Sequence, residues 1–219
     1  MKRLLRTAAI TLSLLAGAGQ LLAQSAFTDK YDETFRKYTK RYFGPAFDWR
    51  LFKAQAIAES NLNVVARSPV GARGLMQLMP TTFSEIRSKN PEITGKWDHP
   101  EWNIAAGIAY SRQLWNLWIN DALETHLREF MLSSYNAGRM TLLRAQKIAQ
   151  DRALNPRLWP SIETVAPTVP RWRYDETLAY LGRVLTNLAD MDPNGHLLRL
   201  DRYLADPNRN TKLADPVTR

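Results

Sequence analysis

The first residue of this sequence with chemistry to offer is a glutamate placed against its own electrostatics. Asp48 can cap a helix that runs through Trp49, Leu51, Phe52, Ala54, Ala56, Ile57 and Ala58 to Glu59, and Asn61–Leu62–Asn63 halts the pattern. Glu59 thus falls in the last turn of an apolar helix, where the negative end of the helix dipole disfavours a carboxylate. Burial against Phe52, Ala56 or a facing helix would disfavour the anion further, and both effects raise the pKa. A carboxylic acid that keeps its proton near neutral pH is what a glycosidic leaving group requires. The same placement also describes a surface glutamate ahead of an Asn cap, and structural carboxylates are common. Other chemistries are narrowed by composition. The chain has no cysteine, which excludes disulfides, thiolate metal sites and a Cys nucleophile. His99, His126 and His196 are well separated and lack HExxH spacing, so no metal site is expected.

The elements that must position Glu59 read as helices around one irregular loop. Tyr31, Phe35, Tyr38 and Tyr42 recur at helical spacing behind Asp29, and Gly44–Pro45 ends that helix. Val64 to Gln77 holds Pro69, Gly71 and Gly74, which predicts an irregular segment or a small hairpin in which the glycines serve backbone geometry. Pro80 suits the first turn of a helix to Lys89. Ile104 to Trp118 and Leu123 to Ser134 form two stripes, with Trp115 and Trp118 expected in the core. A helix follows over Met140 to Ala149. Residues 151–173 carry Pro156, Pro160, Pro167 and Pro170 and are expected to be a long connection, with Trp97, Trp159 and Trp172 in loops. Leu178 to Leu188 give the last helix.

The ends read differently. Lys2, Arg3 and Arg6 precede an apolar run from Ala8 to Ala18 and small residues at Ala23, Ser25 and Ala26, the pattern of a secretory signal peptide over 1–25. The run is shorter than the roughly 20 residues of a spanning helix, so export rather than anchorage is expected, to the periplasm or otherwise outside the cytoplasm. Loss of that segment removes three basic side chains and no acidic one, lowering the formal charge from +9 to +6. Such a basic chain can meet nucleic acid, anionic lipid or an acidic polymer. Its cations are dispersed and no recognition-helix or RNP-like motif occurs, so nucleic acid is not an expected partner. Residues 190–219 read as a tail.

Four motifs in order carry a resemblance. Glu59–Ser60 is followed by the run Ser68–Pro69–Val70–Gly71–Ala72–Arg73–Gly74–Leu75–Met76–Gln77–Leu78–Met79–Pro80, then by Tyr135–Asn136–Ala137–Gly138, then by Glu176–Thr177 and Tyr180. Over roughly residues 30–188 the chain resembles the SLT-type lytic transglycosylases, which are related to goose-type lysozyme. Tyr31 to Glu59 is most similar to the catalytic module of a membrane-associated subgroup, which carries a solute-binding-like domain that this chain is expected to lack. The resemblance implies a mainly α (α+β, lysozyme-like) fold over 26–189, a helical bundle around a substrate cleft with a small irregular or β-hairpin region. Glu59 then corresponds to the catalytic acid/base. Ser68 would stand near the substrate N-acetyl group, Gln77 and Met79 would line the cleft, and Tyr135 and Asn136 would face the glutamate. Tyr180 looks like the family's cleft tyrosine, while Glu176 is either a substrate contact or a helix-start residue. Met79 also fits a core position. Ser133–Ser134, Arg139–Met140 and Leu181 depart from the family pattern.

The resemblance also accounts for a missing partner. An ordinary glycosidase pairs two carboxylates, and no second one falls in these motifs apart from Glu176. Lytic transglycosylases cleave the β-1,4 bond between N-acetylmuramic acid and N-acetylglucosamine without water, and the muramic C6 hydroxyl attacks C1 to leave a 1,6-anhydro end. Intramolecular attack has a high effective molarity, so no nucleophilic side chain is needed. The implied partner is the peptidoglycan glycan strand, with no cofactor. A hydrolytic goose-type lysozyme or a non-catalytic wall-binding protein are the alternatives.

Overall fold

The computed structural model describes residues 29–192. The signal-peptide segment and the tail beyond Asp192 therefore lie outside the described residues. The chain divides into two units, Met1–Asp32 and Glu33–Arg219. Of the first, the described part is a turn in which the Asp32 N–H donates to the Asp29 carbonyl at 3.0 Å.

The second unit is built of helices, in chain order α1 (Asp32–Phe43), α2 (Arg50–Ser60), α3 (Pro80–Lys89), α4 (Pro100–Trp118), α5 (Leu127–Ala137), α6 (Arg139–Asp151), α7 (Trp159–Val165) and α8 (Tyr174–Asp190), with 3-10 turns at Glu124–His126 and Ala166–Thr168. The expected mainly α architecture is the one observed. Helix α2 is at the centre: Leu51 to Ala56 are all buried, so it is covered nearly all round rather than along one stripe. It packs along α8, and Asn187 of α8 donates to the Ala54 carbonyl at 3.2 Å. Helix α5 packs against α4, α6 and α8.

The N-cap of α2 is Trp49 rather than the expected Asp48, whose carboxylate accepts the Arg50 N–H at 2.8 Å from one residue further out. Beneath it Phe43, Phe47, Phe52 and Trp115 form an aromatic cluster with centroids 4.4–5.9 Å apart. Trp118 is wholly buried, and its indole N–H donates to Ser134 at 2.8 Å. That bond gives a reason for serine there: an alanine would leave the buried indole N–H unpaired. Gly138 (φ 81°) breaks the backbone between α5 and α6, and the helix resumes at Arg139.

One expectation fails. The proline-rich stretch 151–173 is not a plain connection, because α7 forms within it and places Trp159, Ile162 and Val165 in the core. Pro160 sits in the first turn of α7, where its missing N–H has no intrahelical role, so it starts the helix rather than preventing it. Trp159 is accordingly helical, and Trp172, although in a loop, is buried at 8% exposure.

Helix α4 lies close to the loop before α3. A Cβ at Gly107 would stand 2.6 Å from Met76 Cγ and 2.7 Å from Met76 Cβ. Gly107→Ala is expected to lower stability by about 1–3 kcal/mol, the range for overpacking a filled core. A denaturant midpoint equal to or above that of the parent would contradict this.

Candidate functional site

Glu59 is the penultimate residue of α2, and the chain leaves the helix through Asn61 (φ 51°) and Leu62 (φ 59°), both left-handed. The Asn61 N–H donates to the Ile57 carbonyl at 2.9 Å, closing the last turn. Ser60, beside Glu59, donates to the Leu75 carbonyl at 2.8 Å and so ties the helix end to the following loop. Glu59 itself is partly exposed, yet the protein packed around its carboxyl strips away most of its solvation. That burial pushes the pKa from 4.5 up to about 7; the Tyr180 hydroxyl and the Arg183 charge pull the other way and do not prevail. Burial comes first, and the nearby Glu59 charge second, in raising the phenols of Tyr180 and Tyr135 well above 10. Glu59, Tyr135 and Tyr180 therefore share one electrostatic neighbourhood, with contributions from α2, α5 and α8.

The loop from 64 to 79 is a compact hairpin-like fold. Antiparallel bridges join Arg67 to Arg73 and Arg73 to Leu78. Ser68 closes its tip: its hydroxyl accepts the Ala72 N–H and its carbonyl accepts the Gly71 N–H, both at 3.0 Å. Its hydroxyl hydrogen remains free to donate. Gly74 (φ 76°) is required twice over, because a Cβ there would lie 2.4 Å from Asn103 Nδ2. Gln77 (φ 43°) folds its amide back onto the Gly74 carbonyl at 2.8 Å. Arg67 and Arg73 lie over the half-buried ring of Trp97, 5.5 and 4.9 Å from its centroid.

The remaining residues divide into those drawn together and those turned away. Tyr135 donates to the Met76 carbonyl at 2.8 Å, which fixes the loop against α5 beside Glu59. Asn136 is exposed, but its side-chain oxygen is held by the Thr177 hydroxyl at 2.9 Å, and Thr177 in turn accepts the Trp172 indole N–H at 3.0 Å. Met79 precedes α3 at 40% exposure, so the core alternative for it is excluded. Glu176 stands exposed in the first turn of α8, 2.8 Å from Arg173 in an ion pair.

Sequence reasoning missed three residues of this neighbourhood. Asn103 is 1% exposed: it accepts the Met76 N–H at 2.7 Å and donates to the Arg73 and Trp97 carbonyls at 3.2 and 3.0 Å. Nothing in its local pattern separates it from a helix-surface asparagine. Gln55, wholly buried one turn before Glu59, was readable only as a polar interruption of an apolar run. Thr177 lay inside a quoted motif but carried no assigned role. Among the described residues no cluster of three or more His, Cys, Asp or Glu could hold a metal ion, and no helix is long and apolar enough to cross a membrane.

Comparison with known proteins gives this arrangement relatives. Residues 33–157 match the family model described as the transglycosylase SLT domain. The chain is 34% identical over 151 residues to membrane-bound lytic murein transglycosylase F of Shewanella pealeana, covering 69% of this chain and 29% of that protein. It is 34% identical over 146 residues to the protein of the same name from Shewanella oneidensis, covering 67% and 29%. Among solved structures, the 70 kDa soluble lytic transglycosylase SLT70 of Escherichia coli aligns with a TM-score of 0.58 at 27% identity, over 78% of this chain and 25% of that one. An inactive Glu-to-Gln mutant of lytic transglycosylase Slt from Pseudomonas aeruginosa aligns with a TM-score of 0.60 at 25% identity, over 77% and 25%. The chain thus spans less than a third of the length of these relatives. With more than half of its residues inside the family model, it belongs to the transglycosylase SLT-domain family.

Proposed function

We propose that this chain is a peptidoglycan lytic transglycosylase that cleaves the β-1,4 bond between N-acetylmuramic acid and N-acetylglucosamine, with Glu59 acting as acid and then as base. The observation that carries the reading is the Glu59 carboxyl, which keeps its proton to about pH 7 while remaining partly exposed. Among the described residues the groups coupled to it are Tyr180, Tyr135 and Arg183, and no carboxylate is among them. A single carboxyl suits a reaction whose nucleophile is supplied by the substrate. Glu59 protonates the glycosidic oxygen as the bond from C1 breaks. The resulting carboxylate takes the proton of the muramic C6 hydroxyl as that oxygen bonds to C1, and the carboxyl is regenerated. Ser68, with a hydroxyl hydrogen free to donate, is suited to the N-acetyl oxygen. Gln77, Met79 and Asn136 would line the strand's path, Tyr180, buried at 1% exposure, would back the Glu59 carboxyl rather than touch the strand, and Glu176 would act at most at its margin. The family membership supports the reading, as does the inactive Glu-to-Gln form of the Pseudomonas relative. The 1–25 segment reads as an export signal, which would deliver the protein to the wall outside the cytoplasm.

Digestion of purified sacculi followed by mass spectrometry of the fragments tests the reaction. Fragments ending in 1,6-anhydro-muramic acid, one water lighter than their reducing counterparts, are expected. Reducing ends alone would assign hydrolysis, and wall binding without turnover would assign a binding protein.

A further inference from the structure

Two buried polar side chains beside Glu59 have no partner in the fold. Gln55 is 0% exposed, and neither its amide nitrogen nor its amide oxygen makes a hydrogen bond. Tyr180 is 1% exposed, and its hydroxyl makes none either. Most buried polar side-chain atoms are paired, so three orphans in one place call for a reason. Their placement gives one. Gln55 and Glu59 are four residues apart on α2 and share a face of that helix. Tyr180 comes from α8, which packs along α2, and its hydroxyl couples to both the Glu59 carboxyl and the Gln55 amide without reaching bonding geometry with either. The couplings have a direction: the amide acts on the phenol oxygen as a donor, and the phenol acts on the carboxyl as a donor.

We propose that Gln55 is a positioning residue for Glu59 that acts through Tyr180: its Nε2 donates to the Tyr180 oxygen, and the Tyr180 hydroxyl donates to the Glu59 carboxylate once that carboxyl has given up its proton. The proposal rests on the reading of Glu59 as acid and base. While the carboxyl is protonated and neutral, the three groups stand close but loose. When the proton passes to the glycosidic oxygen, negative charge develops at Glu59, and the buried Tyr180 hydroxyl, backed by the Gln55 amide, tightens onto it. Donors aimed at developing charge in a desolvated site need little rearrangement at the moment of reaction. The other groups facing the carboxyl are Arg183 of α8 and Tyr135 of α5. The Tyr135 hydroxyl is committed to the Met76 carbonyl, which leaves Tyr180 as the tyrosine free to respond.

Gln55→Leu tests this, since leucine fills a similar volume and removes both orphaned atoms. The variant is expected to fold with a melting temperature no lower than the parent, because an apolar side chain replaces unsatisfied buried groups. The Glu59 carboxyl, followed by NMR titration of the protein without substrate, is expected to titrate about half a pH unit higher. The basic limb of kcat/KM should move up with it, and kcat on sacculi should fall by up to about tenfold, the worth of one buried hydrogen bond, with KM little changed. In a Tyr180→Phe background the substitution should do nothing further. An unchanged Glu59 titration, or losses that add to those of Tyr180→Phe, would overturn the proposal. A parent protein that leaves sacculi intact would overturn the function instead, and the titration distinguishes the two failures.

Discussion

Glu59→Gln is expected to abolish wall cleavage, by about a thousandfold or more, and at the same time to make the protein more stable above pH 7. The first effect follows from the role proposed for Glu59: glutamine matches the carboxyl in shape and can neither give nor take the proton. The second follows from the same desolvation. The folded pKa of about 7 lies above the ordinary value of 4.5. Below pH 4.5 the carboxyl is protonated in both folded and unfolded chains, and it exerts no pH-dependent effect on stability. Between pH 4.5 and 7 the unfolded chain loses this proton while the folded protein holds it, so stability falls as pH rises. Above pH 7 both forms are ionised and the penalty is constant, at about 2–3 kcal/mol once the partial exposure of the carboxyl is taken into account. Glutamine carries no such penalty. Melting curves of parent and variant should therefore converge near pH 4 and separate by about 5–10 °C at pH 8, given about 2–4 °C per kcal/mol for a domain of this size. A variant that melts below the parent at pH 8, or that retains cleavage, would contradict the assignment. A structural glutamate engaged in good hydrogen bonds would give the opposite sign, since its loss would destabilise the protein most where it is ionised.

The site was legible in the sequence where its logic is local. Glu59 at the end of an apolar run, the glycines of the following loop and Pro80 at the start of α3 all act through their own backbone or their own helix. The helical stripes were legible for the same reason. What escaped depends on partners distant in the chain. Asn103 holds Arg73 across 30 residues, Tyr135 reaches Met76 across 59, and Thr177 holds Asn136 across 41. No periodicity encodes such pairs. Ser68 shows the converse: a residue read for its reach toward a ligand is committed to closing its own turn, and only the hydrogen of its hydroxyl is left over. Helix α7 is hidden in the sequence because the number of prolines does not show their positions in the helix. The same residue that breaks a helix interior is welcome in the first turn, and Trp159, Ile162 and Val165 supply a face worth burying.

Asn103→Ala is expected to damage both stability and turnover. The asparagine satisfies one buried N–H, that of Met76 at 2.7 Å, and two carbonyls, those of Arg73 and Trp97. Alanine would strand the Met76 N–H and the Trp97 carbonyl, while the Arg73 carbonyl keeps the Leu78 N–H at 3.1 Å, and would open a space beside Gly74. With about 1–3 kcal/mol for a stranded buried group, and some relief from water entering the gap, the cost comes to about 3–5 kcal/mol. The functional cost arises because Met76 is grasped from both sides. Asn103 holds its N–H and Tyr135 its carbonyl, so this one peptide segment links α4, the loop and α5 beside Glu59. Freed on one side, the loop carrying Ser68 and Gln77 would no longer be held within the few tenths of an ångström that catalysis demands, and kcat/KM should fall about a hundredfold. Gly74 supplies the internal control. In the parent, Gly74→Ala must both adopt φ 76° and collide with the Asn103 amide at 2.4 Å. In the Asn103→Ala background the collision is gone and only the backbone strain of about 1 kcal/mol remains. The second substitution should therefore cost markedly less there than in the parent. Equal costs in the two backgrounds would mean that the asparagine and the glycine do not share one contact, and the account of how this loop is held would fail with it.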